Sequence, residues 1–194
     1  MKRFDITKLM EGDILAGRNL VSKDAAIIRA ILGGCTTNHD AVIVRHNIKG
    51  WGIGDMTSLE GGQFVPFEHY ERLVHARAYQ VWVFRIKDAT PEERHLMSYF
   101  WQMKIDHLPY DDFSVKQLAL MRFVNSLPWH IKGKWCTRAV GIVCAEVFPP
   151  ERNIFRKIYV DMMPLKLNET PRTVENRLVQ GLLEDVTDQV FVDA

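Results

Sequence analysis

The chain has 194 residues, 47% hydrophobic and 25% charged, the balance of one ordinary globular domain and not of a disordered or fibrous chain. Lys and Arg total 25 against 24 Asp and Glu, so no net field draws in nucleic acid or an anionic membrane, and nucleic acid is not expected as a partner. Three cysteines, Cys35, Cys136 and Cys144, form an odd and sparse set that suits reduced thiols better than a disulfide framework.

The opening MKRFDITKLMEGD has basic residues with no apolar run behind them, and no stretch approaches the roughly 18 apolar residues that span a bilayer. A single domain over residues 1–194, without a membrane span and kept in the cytoplasm, is the expectation. Gly12-Asp13 before Ile14 and Leu15 is a turn feeding a short strand. Over 22–32, Ala26, Ile27, Ala30 and Ile31 recur at helical spacing until Gly33-Gly34 stops them. Residues 41–44, a turn at 47–50 and residues 51–56 predict a β-hairpin. Glu60-Gly61-Gly62 predicts a loop, and 66–73 a helical turn that packs Phe67 and Tyr70.

Residues 79–86, AYQVWVFRI with its leading Ala78, are rich in β-formers and predict the clearest strand, a neighbour of 41–44 and 51–56. Thr90-Pro91-Glu92-Glu93 combines an N-cap, a proline at the first helical position and acidic residues at the positive helix end. Further helices are predicted at 114–127, at 139–148 before Pro149-Pro150, and at 171–183 after a strand or loop at 158–160. The order predicts an α+β fold with a small antiparallel sheet packed against helices.

A thiol hydrolase needs a cysteine near a helix start, a histidine to hold it as thiolate and a polar group to orient that histidine. Cys144 lies among small residues in the run from Gly141 to Val147, His39 stands at the mouth of a strand, and Asp55 ends the facing segment. Taken singly, each has a plainer role: a lone apolar-flanked cysteine is more often a buried small hydrophobe, and Asp55 before Met-Thr-Ser could cap a turn.

As an ordered series, however, these segments resemble the circularly permuted NlpC-like thiol hydrolases, the YiiX-like branch of the papain-fold superfamily. Gly12-Asp13-Ile14-Leu15 resembles that family's opening strand, and Thr37-Asn38-His39-Asp40-Ala41-Val42 its histidine segment. Gly54-Asp55-Met56 is similar to the segment of the third polar member, Leu108-Pro109-Tyr110-Asp111 to a Pro-Tyr-Asp segment, and Val143-Cys144-Ala145-Glu146-Val147 to the aromatic-Cys-Ser-Glu-aliphatic nucleophile motif. Ala145 replaces the usual Ser, and Asp55 the usual Glu.

The resemblance implies a permuted papain-like domain in which Cys144 attacks an amide or acyl-ester substrate, His39 is its base and Asp55 orients the imidazole, with Glu60 in reserve for that role. It implies that Tyr110 lends a hydroxyl to the oxyanion beside the Cys144 backbone N–H, and that no cofactor or metal takes part. Glu146 is expected to order local backbone. Two other readings stand beside this one: a catalytically inactive papain-like binding or structural protein, and a zinc module on Cys35, His39, Cys136 and Cys144, which lacks the usual second close-set ligand pair.

Overall fold

The computed structural model describes residues 2–23, 25–26, 36–110, 136–149, 152, 178 and 180–193. Its elements, in chain order, are β1 (Lys2–Phe4), β2 (Ile14–Asn19), β3 (His39–His46), β4 (Gly50–Thr57), β5 (Gly61–Val65), α1 (Phe67–His75), β6 (Tyr79–Ile86), α2 (Pro91–Lys104), α3 (Cys136–Val147), β7 (Leu183–Asp185), α4 (Thr187–Val190) and β8 (Phe191–Asp193). Cys35, most of 22–32, and the helix and strand predicted at 114–127 and 158–160 lie outside the described residues.

The architecture is α+β. Six strands form an antiparallel sheet in the order β5-β4-β3-β2-β6-β7, and β1 pairs with β8 as a separate ribbon. The hairpin of β3 and β4 forms as expected, with Val42 opposite Gly54 and Arg45 opposite Trp51. The expectation for β6 needs correcting: it adjoins β2, which lies between it and β3. Ile14, Leu15 and Ala16 are fully buried, so β2 is covered on both faces and suits the middle of the sheet.

Side-chain alternation divides the core between the two faces. Ile14, Val42, Val44, Met56 and Phe84 pack with Met97 and Trp101 of α2 and with Val140 and Val143 of α3. Leu15, Ala41, Ile43, Ile53 and Val83 pack on the opposite face with Phe67 and Tyr70 of α1 and Val190 of α4.

The start of α2 is as the sequence predicts. Thr90 Oγ1 accepts from Glu93 N at 3.2 Å, and the Glu93 carboxylate accepts from Thr90 N at 2.8 Å, a reciprocal capping box with proline at the first turn. The loop expected at 60–62 is instead the opening of β5. There Gly62 N donates to Leu108 O and His107 N to Gly62 O, both at 2.7 Å, and a Cβ on Gly62 would run into the Ile105 carbonyl. Glycine is therefore required by close backbone approach, not by a flexible turn. Asp13, fully buried, takes a two-pronged ion pair from Arg85 at 2.9 and 2.7 Å and so ties the turn before β2 to β6.

Candidate active site

His39 is the first residue of β3, opposite Gly17 of β2. Continued past the Val42–Gly54 pair, the β3–β4 register sets Asp55 diagonal to His39 on the face that carries Ala41 and Ile53. The imidazole Nε2 and Asp55 Oδ1 are 2.6 Å apart. Asp55 Oδ1 also accepts from Met56 N at 2.7 Å, and its Oδ2 accepts from the Tyr70 hydroxyl at 2.7 Å. The carboxylate is thus bound on both oxygens, while the His39 side chain keeps 16% of its surface open.

Tyr79 begins β6 and lies beyond β2 from His39, yet its ring extends over Gly17: a Cβ there would stand 2.6 Å from the Tyr79 hydroxyl. The missing side chain is the space the tyrosine occupies. Tyr70 and Tyr79 meet edge to face, centroids 5.5 Å apart and planes at 80°.

Burial disfavours a charged imidazole, but the electrostatic influence of Tyr79, Asp55 and Cys136, with the Asp55 hydrogen bond, outweighs it and holds the ring's pKa well above its ordinary value. Burial likewise opposes ionised Asp55, and the charge and hydrogen bond of His39, helped by Tyr70 and Met56, keep its carboxyl below the usual range. Burial pushes both tyrosines up, and the Asp55 charge adds to it, so their phenols stay protonated.

The cysteine that bears electrostatically on His39, Tyr70 and Tyr79 is Cys136, the first residue of α3. Cys144 was expected near a helix start. It stands instead eight residues into α3, about 12 Å along the axis, and is fully buried in the core shared with Met97 and Trp101. Cys136 borders the same core but keeps 7% of its surface open, whereas Cys144 has none. The sequence signal for Cys136 was available: Trp135-Cys136-Thr137 has the aromatic and the hydroxyl that Val143-Cys144-Ala145 lacks.

Tyr110 is part-buried against the core on the α2 and α3 side, whereas Tyr70 and Tyr79 are the tyrosines at the His39–Asp55 pair. The sequence reading has Tyr70 as a packed residue and Tyr79 as the start of a strand, since nothing local marks either as a neighbour of His39. Glu60 lies exposed in the turn before β5, and it is Asp55 that meets the imidazole. Glu146 pairs with Lys104 and joins α3 to α2 rather than ordering its own backbone. Among the described residues no group of three or more His, Cys, Asp or Glu is placed to hold a metal ion, and no helix is long and apolar enough to cross a membrane.

The fold has a known counterpart. The metalloprotein YiiX from Escherichia coli O157:H7 matches with a TM-score of 0.58 over 91% of this chain and 96% of its own, at 15% sequence identity. The chain therefore has a YiiX-like fold. No family model and no curated protein matches it.

Proposed function

We propose that the chain is a cysteine-dependent hydrolase or acyltransferase with a permuted papain-like fold, acting on an amide or ester bond through Cys136, His39 and Asp55. The observation that carries this is the imidazole tied to Asp55 through Nε2 while under the influence of a thiol at a helix N-terminus. In neutral imidazole one ring nitrogen donates and the other accepts. With Nε2–H given to Asp55, Nδ1 is the atom that takes the thiol proton. A ring whose pKa is held high accepts it at neutral pH, and the positive end of α3 stabilises the thiolate left behind.

The thiolate then attacks the carbonyl carbon and the C=O pair moves onto oxygen. Backbone N–H groups at the start of α3 and the protonated Tyr79 hydroxyl supply donors for that oxyanion, the role first given to Tyr110. Collapse expels the amine or alkoxide with the proton from His39, and water or another acceptor releases the acyl group with His39 as base.

The name of the fold neighbour supports a second reading, in which His39 and Cys136 are two ligands of a metal. Two measurements separate the readings. Iodoacetamide near pH 6 should alkylate Cys136 ahead of Cys35 and Cys144, and His39→Ala should abolish the preference. Treatment with p-nitrophenyl acetate should leave an acetyl group on Cys136 in metal-free protein. Stoichiometric metal after purification, with no acylation once it is stripped, would favour the metal reading.

A further inference from the structure

We propose that Tyr70 is a positioning residue of this site, acting through Asp55: its hydroxyl holds Oδ2 so that Oδ1 stays aimed at the imidazole. The inference rests on the catalytic reading above and extends it to a residue that touches neither thiol nor substrate. A carboxylate turns freely about its last torsion unless both oxygens are bound. Here Oδ1 is bound by His39 and Met56, and Oδ2 by the Tyr70 hydroxyl at 2.7 Å, on a residue 3% exposed. With the Tyr70 hydroxyl removed, Oδ2 loses that donor in a place nearly closed to water. The carboxylate must then turn towards another donor or take up a proton.

The fold holds Tyr70 for this purpose. It lies one turn into α1, with Phe67 buried three residues earlier on the same face, and Tyr79 set edge-on against its ring. Phe4 N donates to Glu71 Oε1 at 2.8 Å and fastens the same helix to β1. Because the phenol is held protonated, it remains a donor wherever Asp55 is ionised.

The titratable groups bearing on this carboxylate are His39 from β3, Tyr70 from α1 and Tyr79 from β6; Cys136 from α3 bears on the same tyrosines and imidazole, and Asp40 from β3 on Tyr79. Tyr70 donation keeps Asp55 ionised to lower pH. Its loss therefore moves the acid limb of the rate upward in pH.

The test is a double-mutant cycle on the full chain, read as the rate of Cys136 acetylation by p-nitrophenyl acetate. Tyr70→Phe should slow acetylation about tenfold, the rate equivalent of one hydrogen bond, and shift the acid limb upward. In an Asp55→Asn background the same change should cost almost nothing, because the residue it acts through no longer carries the charge. Equal losses in both backgrounds, or no loss with an unmoved acid limb, overturn the proposal. Should Tyr70→Phe fail to fold by circular dichroism, 3-fluorotyrosine at position 70 keeps the ring and strengthens the donor. It should move the acid limb downward, and an unmoved limb overturns the proposal. The His39 NMR titration separates this from failure of the catalytic reading: it should respond to Tyr70→Phe only where Asp55 is intact, even in a protein that acylates nothing.

Discussion

Asp55 Oδ1 lies 2.6 Å from His39 Nε2, on the strand beside it and diagonal to it, and in the proposed mechanism this contact decides which ring nitrogen remains for the thiol. An asparagine at 55 would fill the same space, but its amide could turn its NH2 to Nε2 and favour the opposite tautomer. Asp55→Asn should therefore lower turnover by a factor on the order of 10³ to 10⁴, with KM little changed and the circular dichroism spectrum intact. Turnover within about threefold of the parent would remove Asp55 from the mechanism.

The same pair shapes the dependence of stability on pH. His39 has its folded pKa raised above the roughly 6.5 of an unfolded chain, so its contribution is full below about 6.5 and is lost as pH rises through the folded value. Asp55 has its folded pKa lowered, so its contribution is present above about 3.9 and is lost as pH falls through the folded value. The two describe one interaction, greatest between about pH 4 and 6.5. Calorimetric Tm across pH should show a rise towards that window that Asp55→Asn flattens; a variant curve parallel to the parent's contradicts the assignment.

Gly17 offers a test of Tyr79 that leaves the tyrosine in place. A Cβ at position 17 would meet the Tyr79 ring and its hydroxyl, while backbone strain is not at issue because the glycine lies in regular β2 pairing. The ring must move aside. Gly17→Ala should slow acylation of Cys136 by about tenfold or more, since one oxyanion donor contributes roughly 10² to 10³ in rate. Alkylation by iodoacetamide forms no oxyanion and should fall much less. Equal loss in both reactions would assign Tyr79 to the thiol–imidazole pair instead.

What was legible in the sequence was whatever its local chemistry decided. The capping box at Thr90, the β3–β4 hairpin and the place of His39 at a strand mouth follow from residues within a few positions of one another. The place of β6 beside β2 and the strand at Gly61 depend on contacts distant in sequence, with Ile14–Asn19 in one case and with Ile105 and Leu108 in the other. The choice of cysteine turns on a related point. Small neighbours suggested access at Cys144, but its own side chain is fully buried in the core, and the thiol that bears electrostatically on His39 is at the start of that helix.

That difference makes the two cysteines of α3 separable by mutation. Cys136 is 7% exposed at the first position of the helix, and Cys144 is fully enclosed in its third turn. Cys136→Ala should abolish acylation and the preferred alkylation while leaving Tm almost unchanged, because the end of a helix relaxes around a lost sulfur more easily than its middle. Cys144→Ala deletes one large buried atom beside Met97 and Trp101, and a cavity of that size costs about 1 to 2 kcal/mol. For a domain of this length that corresponds to a Tm lowered by about 2 to 8 °C, with acylation kinetics preserved at temperatures where the variant is folded. Cys144→Ser should be worse than alanine, since it adds a hydroxyl to an apolar site. Acylation lost in Cys144→Ala at full folding, and kept in Cys136→Ala, would return the nucleophile to position 144.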